Sequence, residues 1–358
     1  MKILHVLGKC LKEGNGITSA VPPLIEAQNS LEGIEAKALF TSTYEEYNFN
    51  FETLHLNQIS NIDEFLLKTF TPDIVIFHEV YYLSFLKISK LLFRLNIPYL
   101  IKPHCSLTKL AQQKSKYKKM LANHLLFNTF IARSKAISFL NEQEFLTSIQ
   151  SENHIIVNNG VKVQKIDLNS KINKRIRIIY LSRIDYYHKG LDFLIDGLKT
   201  IKKSDFSDYN FEIFLYGDGA KTDLDRLNKD IKELNNEHIS FKGPVYDINK
   251  EKVFKESNIF ILTSRLEGMP MGILEALSFG MPCIVTPGTN MAEEIQLNNV
   301  GWVTSTDKDC IANTILKAVT EYKKQRETYI KNSLDLVKNK YNWDNIAKDT
   351  IKKYQKYL

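Results

Sequence analysis

The chain has 358 residues, 44% of them hydrophobic and 25% charged, a composition typical of a soluble globular protein with two domains. Its formal net charge is +7, and no stretch approaches the roughly 20 consecutive apolar residues of a transmembrane helix. The four cysteines are widely spaced without a CxxC pair, which argues against a disulfide framework or zinc site and fits a cytoplasmic location.

The first half of the chain alternates short apolar runs with helical patterns. The N-terminal run soon becomes polar, so it is predicted to be a first strand rather than a signal peptide. The run DIVIF is apolar after its aspartate, as in a parallel strand buried on both faces. The predicted strands are 2–7, 36–40, 73–77, 99–102, 129–132 and 155–157, and the predicted helices are 18–30, 61–69, 82–95, 108–125 and 135–148.

The second half repeats this alternation and ends in an amphipathic helix within 341–358. Its predicted strands are 176–181, 211–216, 239–241, 259–262, 283–286 and 301–303. Strands that alternate with helices indicate two doubly wound α/β domains with parallel sheets. A polar stretch at 162–175 predicts domains at 1–165 and 166–340. Open sheets of this kind bind ligands beyond the carboxyl ends of their strands.

Two glutamates flank a turn in TSRLEGMPMGILEALSFGMPCIVT. Glu267 lies in a loop after a strand, and Glu275 lies in a helix predicted at 271–279. Backbone N–H groups at the start of that helix favour an anion such as a diphosphate. Taken alone, the pair would more often be a loop glutamate and a solvated helical one.

Two cations and a glycine turn follow other strands of the second half. Arg183 and Lys189 lie after the strand in IIYLSRIDYYHKG, where they could neutralise a leaving diphosphate. In FLYGDG, Gly217 and Gly219 would let the backbone approach a ligand. Each of these signals is weak by itself.

The order of these motifs along the chain is specific. It resembles that of the family 4 retaining glycosyltransferases of the GT-B fold, and the motifs are SRIDYYHKG, YGDG, FKGPV, SRLEGMPMGILEA and FGMPCIVTP. The resemblance implies two Rossmann-like domains that face each other across a cleft. It implies that Glu267 faces the donor sugar, Glu275 binds ribose hydroxyls, and Arg183 and Lys189 hold the diphosphate. Further donor-lining residues would be Ser264, Gly268, Met269, Pro270 and Met271.

The first half resembles the family less closely. Gly14 and Gly16 in GKCLKEGNGITSAV look like the glycine-rich loop near the donor phosphates, with Thr18 opening a helix. His104 matches the family's histidine near the donor sugar and acceptor, although Cys105 stands where many relatives have glycine. His78, at the end of another predicted strand, is a weaker candidate together with Glu79.

These motifs predict transfer of a sugar from a nucleoside-diphosphate sugar to a hydroxyl of a glycan or lipid-linked acceptor, with retention, in bacterial surface-polysaccharide synthesis. No Asp-x-Asp motif stands in a suitable place, so neither a metal nor another cofactor is expected. The alternatives are a sugar-nucleotide epimerase of the same fold and a non-catalytic sugar-nucleotide-binding partner. A nicotinamide dehydrogenase is excluded because no GxGxxG follows the first strand.

A long basic stretch lies between Glu79 and Glu142. It contains 11 Lys or Arg residues and no acidic residue, and leucines and aromatic residues interleave with them. Such a surface suits an anionic membrane face or a phosphorylated acceptor. The expected membrane contacts are Lys114, Lys116, Lys118 and Lys119. A solvated face is the alternative, and nucleic acid is not expected because no binding motif accompanies the charge.

Overall fold

The computed structural model describes residues 1–8, 16–42, 49–113, 116–149, 153–166 and 175–358. The chain forms two compact units. Unit 1 comprises Met1–Gly160 and Trp343–Leu358, and unit 2 comprises Val161–Asn342. The sequence-based boundaries, at 165 and 341, lie within a few residues of these divisions.

Unit 1 is built on a sheet whose strands all pair in parallel. In the described residues it has seven strands in the order β3-β2-β1-β4-β5-β6-β7. Its central strands are buried on both faces, which explains their continuous apolar runs. The strands are β1 Lys2–Leu7, β2 Glu35–Phe40, β3 Thr53–His55, β4 Ile74–His78, β5 Tyr99–Lys102, β6 Ala136–Phe139 and β7 His154–Ile156.

Helices connect these strands and cover the faces of the sheet. One apolar cluster, which includes Phe77, Phe85 and Phe130, fills one side of the sheet. A second cluster, which includes Ile25 and Tyr354, fills the other. The helices are α1 Gly16–Asn29, α2 Ile62–Glu64, α3 Leu83–Arg94, α4 Lys109–Gln113, α5 Lys116–Ala122, α6 Asn128–Arg133 and α7 Glu142–Thr147, with π-helical turns at Phe65–Thr69 and Asn123–Phe127 and a 3-10 turn at Leu56–Gln58.

Unit 2 has the second parallel sheet. Within the described part of the chain it has six strands in the order β10-β9-β8-β11-β12-β13. They are β8 Ile176–Leu181, β9 Phe211–Tyr216, β10 Ile239–Phe241, β11 Ile259–Leu262, β12 Cys283–Val285 and β13 Gly301–Val303. The helices are α8 Leu191–Thr200, α9 Lys203–Asp208, α10 Lys221–Leu234, α11 Asp247–Lys255, α12 Met271–Ser278, α13 Ala292–Leu297 and α14 Lys308–Leu336, with a 3-10 turn at Pro287–Thr289 and a π-helical turn at Val337–Tyr341. The two parallel-sheet α/β units confirm the predicted fold class.

Two predicted elements of unit 1 are wrong. The run at 129–132 was predicted to be a strand and lies in helix α6, whereas the predicted helix 135–148 contains strand β6. The residues assigned wrongly, 129–132 and 136–139, form two short and mostly apolar runs, and such runs do not distinguish a buried strand from a buried helix by periodicity. The strand β3 at the edge of the sheet was also missed.

The C-terminal amphipathic helix is α15, Trp343–Tyr354, followed by a 3-10 turn at Gln355–Tyr357. It contacts α1, and the Lys353 ammonium donates to the carbonyl of Ile156 at 2.6 Å. The indole of Trp343 covers Gly160 so closely that a Cβ there would lie 2.6 Å from the ring. The end of the chain is therefore part of unit 1.

No helix among the described residues is long and apolar enough to cross a bilayer.

Candidate functional site

The informative motifs of unit 2 meet at the carboxyl edge of its sheet. Strands β8 and β11 are parallel neighbours, with Ile179 opposite Phe260, so the loops that follow them leave the sheet together. From β8, the chain adds β9 and β10 on one side of the sheet, and then β11, β12 and β13 on the other side. The strand order therefore changes direction between β8 and β11. Such a switch point is the usual ligand-binding position in an open α/β sheet.

Lys189, Ser264 and Glu267 form one polar cluster at this edge. The Lys189 ammonium lies 2.5 Å from Oε1 of Glu267, and the Ser264 hydroxyl donates to the same oxygen at 2.7 Å. The side chains of Lys189 and Glu267 are only 17% and 13% exposed, so water screens their attraction weakly. An ammonium has three donors, and one contact with Glu267 leaves capacity for an anionic ligand.

The two loops pack so closely that one position requires glycine. Gly190 has φ +61°, and a Cβ at this position would lie 2.0 Å from the carbonyl oxygen of Thr263. The Thr263 hydroxyl donates to the Gly190 carbonyl at 2.8 Å. This contact sets the position of Lys189, the preceding residue.

Arg265 also joins the two loops, and its role was not foreseen. Its guanidinium makes a two-pronged ion pair with Asp192, at 2.7 and 2.6 Å, and lies 3.6 Å from the ring centroid of Phe193. Its backbone N–H donates to the His188 carbonyl at 2.9 Å. Arg265 stands between two predicted site residues, but only the fold brings Asp192, far earlier in the chain, next to it.

Arg183 is separate from this cluster. Its side chain is 61% exposed, and its guanidinium pairs with Asp185 at 2.9 Å. Asp185 also accepts from the backbone N–H and the ring of His188. Burial opposes ionisation of Asp185, but the His188 N–H and nearby positive charge hold its pKa below the usual range. The guanidinium is therefore held at the edge of the sheet and stays accessible.

Glu275 has a partner that sequence reasoning missed. Its Oε1 lies 2.7 Å from the ammonium of Lys250 in α11, and both side chains are largely covered. Lys250 lies in no motif, so no sequence signal selected it. The structure brings Glu275 to Lys250, whereas Lys189 pairs with Glu267.

The turn before α12 is covered. Gly268, Met269 and Pro270 are buried, and Met271 and Gly272, the first residues of α12, are partly exposed. The loop is fixed from β12: the Glu267 N–H donates to the Gly288 carbonyl at 2.9 Å, and the Asn290 amide donates to the Glu267 carbonyl at 2.6 Å. The N-terminal N–H groups of α12 thus start at the same edge as the polar cluster.

Gly217 has a structural role at this edge. Its φ is +150°, and a Cβ would lie 2.0 Å from the Ser182 carbonyl oxygen, so it lets the turn after β9 pack on the loop after β8. The Ile184 N–H donates to the Asp218 carbonyl at 2.8 Å across the same contact. This packing supports the loop that carries Arg183.

Among the described residues of unit 1, the predicted histidines lie at the carboxyl ends of strands: His78 ends β4 and His104 follows β5. Gly16 is the first residue of α1, and Gly14 lies outside the described residues. His104 and Cys105 follow β5 with φ of +47° and +68°, a left-handed backbone that favours glycine. The buried carboxylate of Glu144 accepts from the N–H groups of Cys105 and Leu140, both at 2.6 Å, which holds the turn in this conformation.

The charges around His104 are buried. Burial lowers the pKa of the Lys102 ammonium to about 8, and burial raises the pKa of Glu144 although two backbone N–H groups oppose that rise. Burial, together with the charge of Lys102, lowers the pKa of His104 to about 3. His104 is therefore a neutral imidazole at physiological pH.

His104 is also the end of a row of histidines. Its Nε2 lies 3.0 Å from Nδ1 of His78, and Nε2 of His78 lies 2.9 Å from Nδ1 of His5. The weaker candidate His78 is thus connected to His104 through the protein interior.

In the part of the chain that the structure describes, no group of three or more His, Cys, Asp or Glu side chains could hold a metal ion.

Comparison with known proteins finds a family similar to the second unit. Residues 163–335 match the family described as glycosyl transferases group 1. An uncharacterized glycosyltransferase of Methanocaldococcus jannaschii is 27% identical over 216 residues, which are 56% of this chain and 53% of that protein. The lipopolysaccharide 1,6-galactosyltransferase of Escherichia coli is 27% identical over 261 residues, 71% of this chain and 65% of that protein. The chain thus matches about half to two thirds of the length of these relatives.

Solved structures give the fold of the whole chain. The apo form of the lipopolysaccharide outer core galactosyltransferase WaaB has a TM-score of 0.73 and 19% identity, with 100% of both chains covered. Anabaena HepE in complex with UDP has a TM-score of 0.71 and 16% identity over 99% of this chain and 100% of that one. The protein therefore has the GT-B glycosyltransferase fold, and its second unit is the part that matches the group 1 glycosyl transferases.

Proposed function

We propose that the protein is a glycosyltransferase that takes a sugar from a nucleoside-diphosphate sugar bound at the carboxyl edge of the second sheet. The observation that supports this most is the cluster of Lys189, Ser264 and Glu267 at the switch point, with the exposed Arg183 on the same loop as Lys189. The family match covers this segment, and HepE, a solved protein with the same fold, binds UDP.

In the proposed reaction, the two cations stabilise the leaving group. The bond between the anomeric carbon and the phosphate oxygen breaks, and negative charge accumulates on the departing diphosphate. Arg183 and Lys189 would neutralise that charge in a partly covered site, where a fixed cation acts more strongly than in water. Amides at the start of α12 would add donors to the same phosphates.

The two glutamates have different proposed roles. Glu267 would accept hydrogen bonds from the donor sugar while Lys189 and Ser264 hold it in place. Glu275 would accept from the ribose hydroxyls, held by Lys250. The acceptor hydroxyl would lose its proton to the departing phosphate oxygen on the same face, which retains the anomeric configuration and needs no protein base. This is the chemistry of the family 4 enzymes that the motifs resemble.

The acceptor is proposed to be a hydroxyl of a glycan or lipid-linked glycan in surface-polysaccharide synthesis. Two similar proteins carry names from lipopolysaccharide synthesis, which supports this class of acceptor. The direct test is to incubate the protein with a panel of nucleotide sugars and glycan acceptors and to follow release of the nucleoside diphosphate. NMR of the product would show whether the configuration is retained. An epimerised nucleotide sugar formed without acceptor would instead favour the epimerase alternative.

Sugar transfer is expected to continue in excess EDTA. The charge of the leaving diphosphate is proposed to be offset by Arg183 and Lys189, the role that a divalent cation has in other transferases. The measurement is the rate of nucleoside diphosphate release with EDTA, with EDTA plus Mg²⁺ or Mn²⁺, and with neither. Loss of activity in EDTA with recovery by a divalent cation would contradict the prediction.

A surface of unit 1 supports a peripheral membrane contact. We define the basic-apolar surface as α5 and the π-helical turn after it, 116–127. Lys116 and Lys118 are exposed, whereas Lys119 donates to the Ala111 carbonyl. Large apolar side chains beside them are also exposed: Tyr117, Met120, Leu121, Leu125 and Leu126. We propose that this surface binds the anionic lipid of the membrane that carries the acceptor. Lys114, also expected to contribute, lies outside the described residues.

Replacing both Lys116 and Lys118 with glutamate is expected to weaken binding to anionic vesicles at least about thirtyfold at low salt. Each basic residue at an anionic surface contributes roughly 1 kcal/mol. High salt should weaken wild-type binding as well, because the Debye length falls from about 10 Å at 0.1 M to about 3 Å at 1 M. The measurement is vesicle co-sedimentation with and without anionic lipid.

The matched control is Lys221→Glu with Lys229→Glu, the same charge change on the exposed face of α10 in unit 2. If both double variants bind as the wild type does, or if the wild type does not bind, the basic-apolar surface is a solvated face.

A further inference from the structure

Four polar side chains form a continuous row through the interior of unit 1. Nε2 of His5 lies 2.8 Å from Oε1 of Gln28, and Nδ1 of His5 lies 2.9 Å from Nε2 of His78. Nδ1 of His78 lies 3.0 Å from Nε2 of His104. Gln28, His5 and His78 are all buried, with exposed fractions of 0 to 1%. We call these four residues the histidine relay.

The relay comes from four separate elements. Gln28 is near the end of α1, His5 is in β1, His78 ends β4 and His104 follows β5. Neighbouring rings meet edge to edge through their nitrogens, with centroids 5.2 and 5.3 Å apart and planes inclined by only 25° and 29°. The parallel pairing of β1 with β4 and of β4 with β5 therefore holds the rings at hydrogen-bonding distance.

All three imidazoles are neutral at physiological pH. Burial lowers the pKa of His5 to about 4, and burial together with the neighbouring histidines and Lys102 holds the pKa of His78 well below its usual range. The pKa of His104 is about 3 for the same reason, burial. A neutral imidazole has one N–H donor and one acceptor nitrogen. The direction of one hydrogen bond in the row therefore fixes the direction of the others.

Gln28 is the residue that sets this direction. Its carbonyl oxygen faces His5, and its amide nitrogen has no hydrogen-bond partner among the described residues. In this orientation of the amide, Nε2 of His5 carries the hydrogen and Nδ1 of His5 accepts from Nε2 of His78. By the same step, Nδ1 of His78 accepts from Nε2 of His104. Nδ1 of His104, which has no hydrogen-bond partner within the described residues, then carries a lone pair.

We propose that Gln28, His5 and His78 are positioning residues that keep His104 in the Nε2–H tautomer, so that Nδ1 accepts a hydrogen bond from a substrate hydroxyl. That the hydroxyl belongs to a sugar rests on the proposed function, whereas the tautomer does not. If the side-chain amide of Gln28 were rotated by 180°, its NH₂ group would face His5. Every donor and acceptor in the row would then exchange places, and Nδ1 of His104 would be a donor. A residue deep in unit 1 thus determines which hydrogen-bonding group His104 offers.

The tautomers can be read by NMR of the full-length protein labelled with ¹⁵N-histidine, because protonated and unprotonated ring nitrogens have different shifts. In the wild type, His5, His78 and His104 are expected to show the same Nε2–H tautomer. Gln28→Met should give His104 in both tautomers, because the fixed acceptor is lost.

His78→Phe interrupts the relay in the middle while keeping a planar ring in the same space. It should leave His5 in the Nε2–H form and give His104 in both tautomers, and it tests the proposal if a Gln28 variant does not fold. His55→Phe is the matched control, since His55 is a buried histidine of the same sheet outside the relay. A wild-type His104 with Nδ1–H, or a His104 tautomer unchanged in both Gln28→Met and His78→Phe, would overturn the proposal.

Activity gives a separate readout. His78→Phe is expected to lower the sugar-transfer rate about tenfold, the scale of one hydrogen bond, with unchanged affinity for the nucleoside diphosphate. His55→Phe should leave the rate unchanged. If the wild type transfers no sugar, the proposed function fails, and the NMR result still decides the relay. If the tautomers change as expected but the rate does not, the role of His104 toward a substrate hydroxyl is refuted.

Discussion

Replacing Arg183 or Lys189 with alanine is expected to lower the rate of sugar transfer at least about a hundredfold, the scale of losing one fixed charge-stabilising donor. Both residues lie in the loop after β8, at the switch point of the second sheet. Arg183 is exposed, so its removal should leave the fold intact. Lys189 is covered and paired with Glu267, and its removal also leaves that carboxylate with one partner fewer.

Matched controls separate charge at the site from charge in general. Lys317→Ala and Lys199→Ala remove exposed cations of the same unit, in α14 and α8, that pair with Glu321 and Asp196. Their transfer rates should equal that of the wild type. Arg183→Ala should weaken binding of the nucleoside diphosphate more than binding of the uncharged nucleoside, because only the former presents phosphates. Near wild-type rates in both Arg183→Ala and Lys189→Ala would refute the assignment of the donor site.

The two glutamates are expected to separate turnover from nucleotide binding. Glu267→Gln should lower kcat about a hundredfold with little change in affinity for the nucleoside diphosphate, because Glu267 is proposed to contact only the sugar. Glu275→Gln should lower that affinity roughly tenfold or more, as for hydrogen bonds that involve a charged group. The measurements are steady-state kinetics and calorimetric titration of both variants. Equal loss of affinity in the two would contradict the division of roles.

Lys250 complicates the Glu275 variant, and the structure suggests a control. Glu275→Gln leaves the Lys250 ammonium without its carboxylate, and an unpaired, largely covered charge could itself perturb the site. The double variant Glu275→Gln with Lys250→Met removes both charges. If affinity stays low in the double variant, Glu275 contacts the nucleotide. If affinity returns to the wild-type value, the loss came from the unpaired lysine.

Much of the fold follows from the sequence. Runs such as IVIF and IFIL are apolar throughout because β4 and β11 are buried on both faces, and this pattern predicted two parallel sheets. A strand was predicted in place of a helix, or the reverse, only where an apolar run is too short for its periodicity to distinguish the two, as at 129–132. The order of the strands within each sheet depends on how whole helices and strands pack, so it cannot be predicted from any local sequence pattern.

The predicted site residues of unit 2 could be identified because each motif is a continuous segment that forms one loop after a strand. The residues that pair with them were missed because they belong to distant parts of the sequence. Lys250 and Asp192 come from other segments, and only the folded sheet brings them to Glu275 and Arg265. The histidine relay was missed in the same way: His78 and His104 were selected singly, and His5 and Gln28 not at all.

The central claim is that the carboxyl edge of the second sheet binds a nucleotide sugar through Arg183 and Lys189. The most direct measurement is thermal unfolding of the wild type, Lys189→Ala and Lys199→Ala with a panel of nucleoside diphosphates and their sugar conjugates. A ligand at about 100 times its Kd should stabilise the folded protein by roughly 2.7 kcal/mol. We expect one nucleotide base to raise the unfolding temperature of the wild type and Lys199→Ala, and to do so much less for Lys189→Ala. No shift of the wild type by any member of the panel, or equal shifts in all three proteins, would contradict the claim.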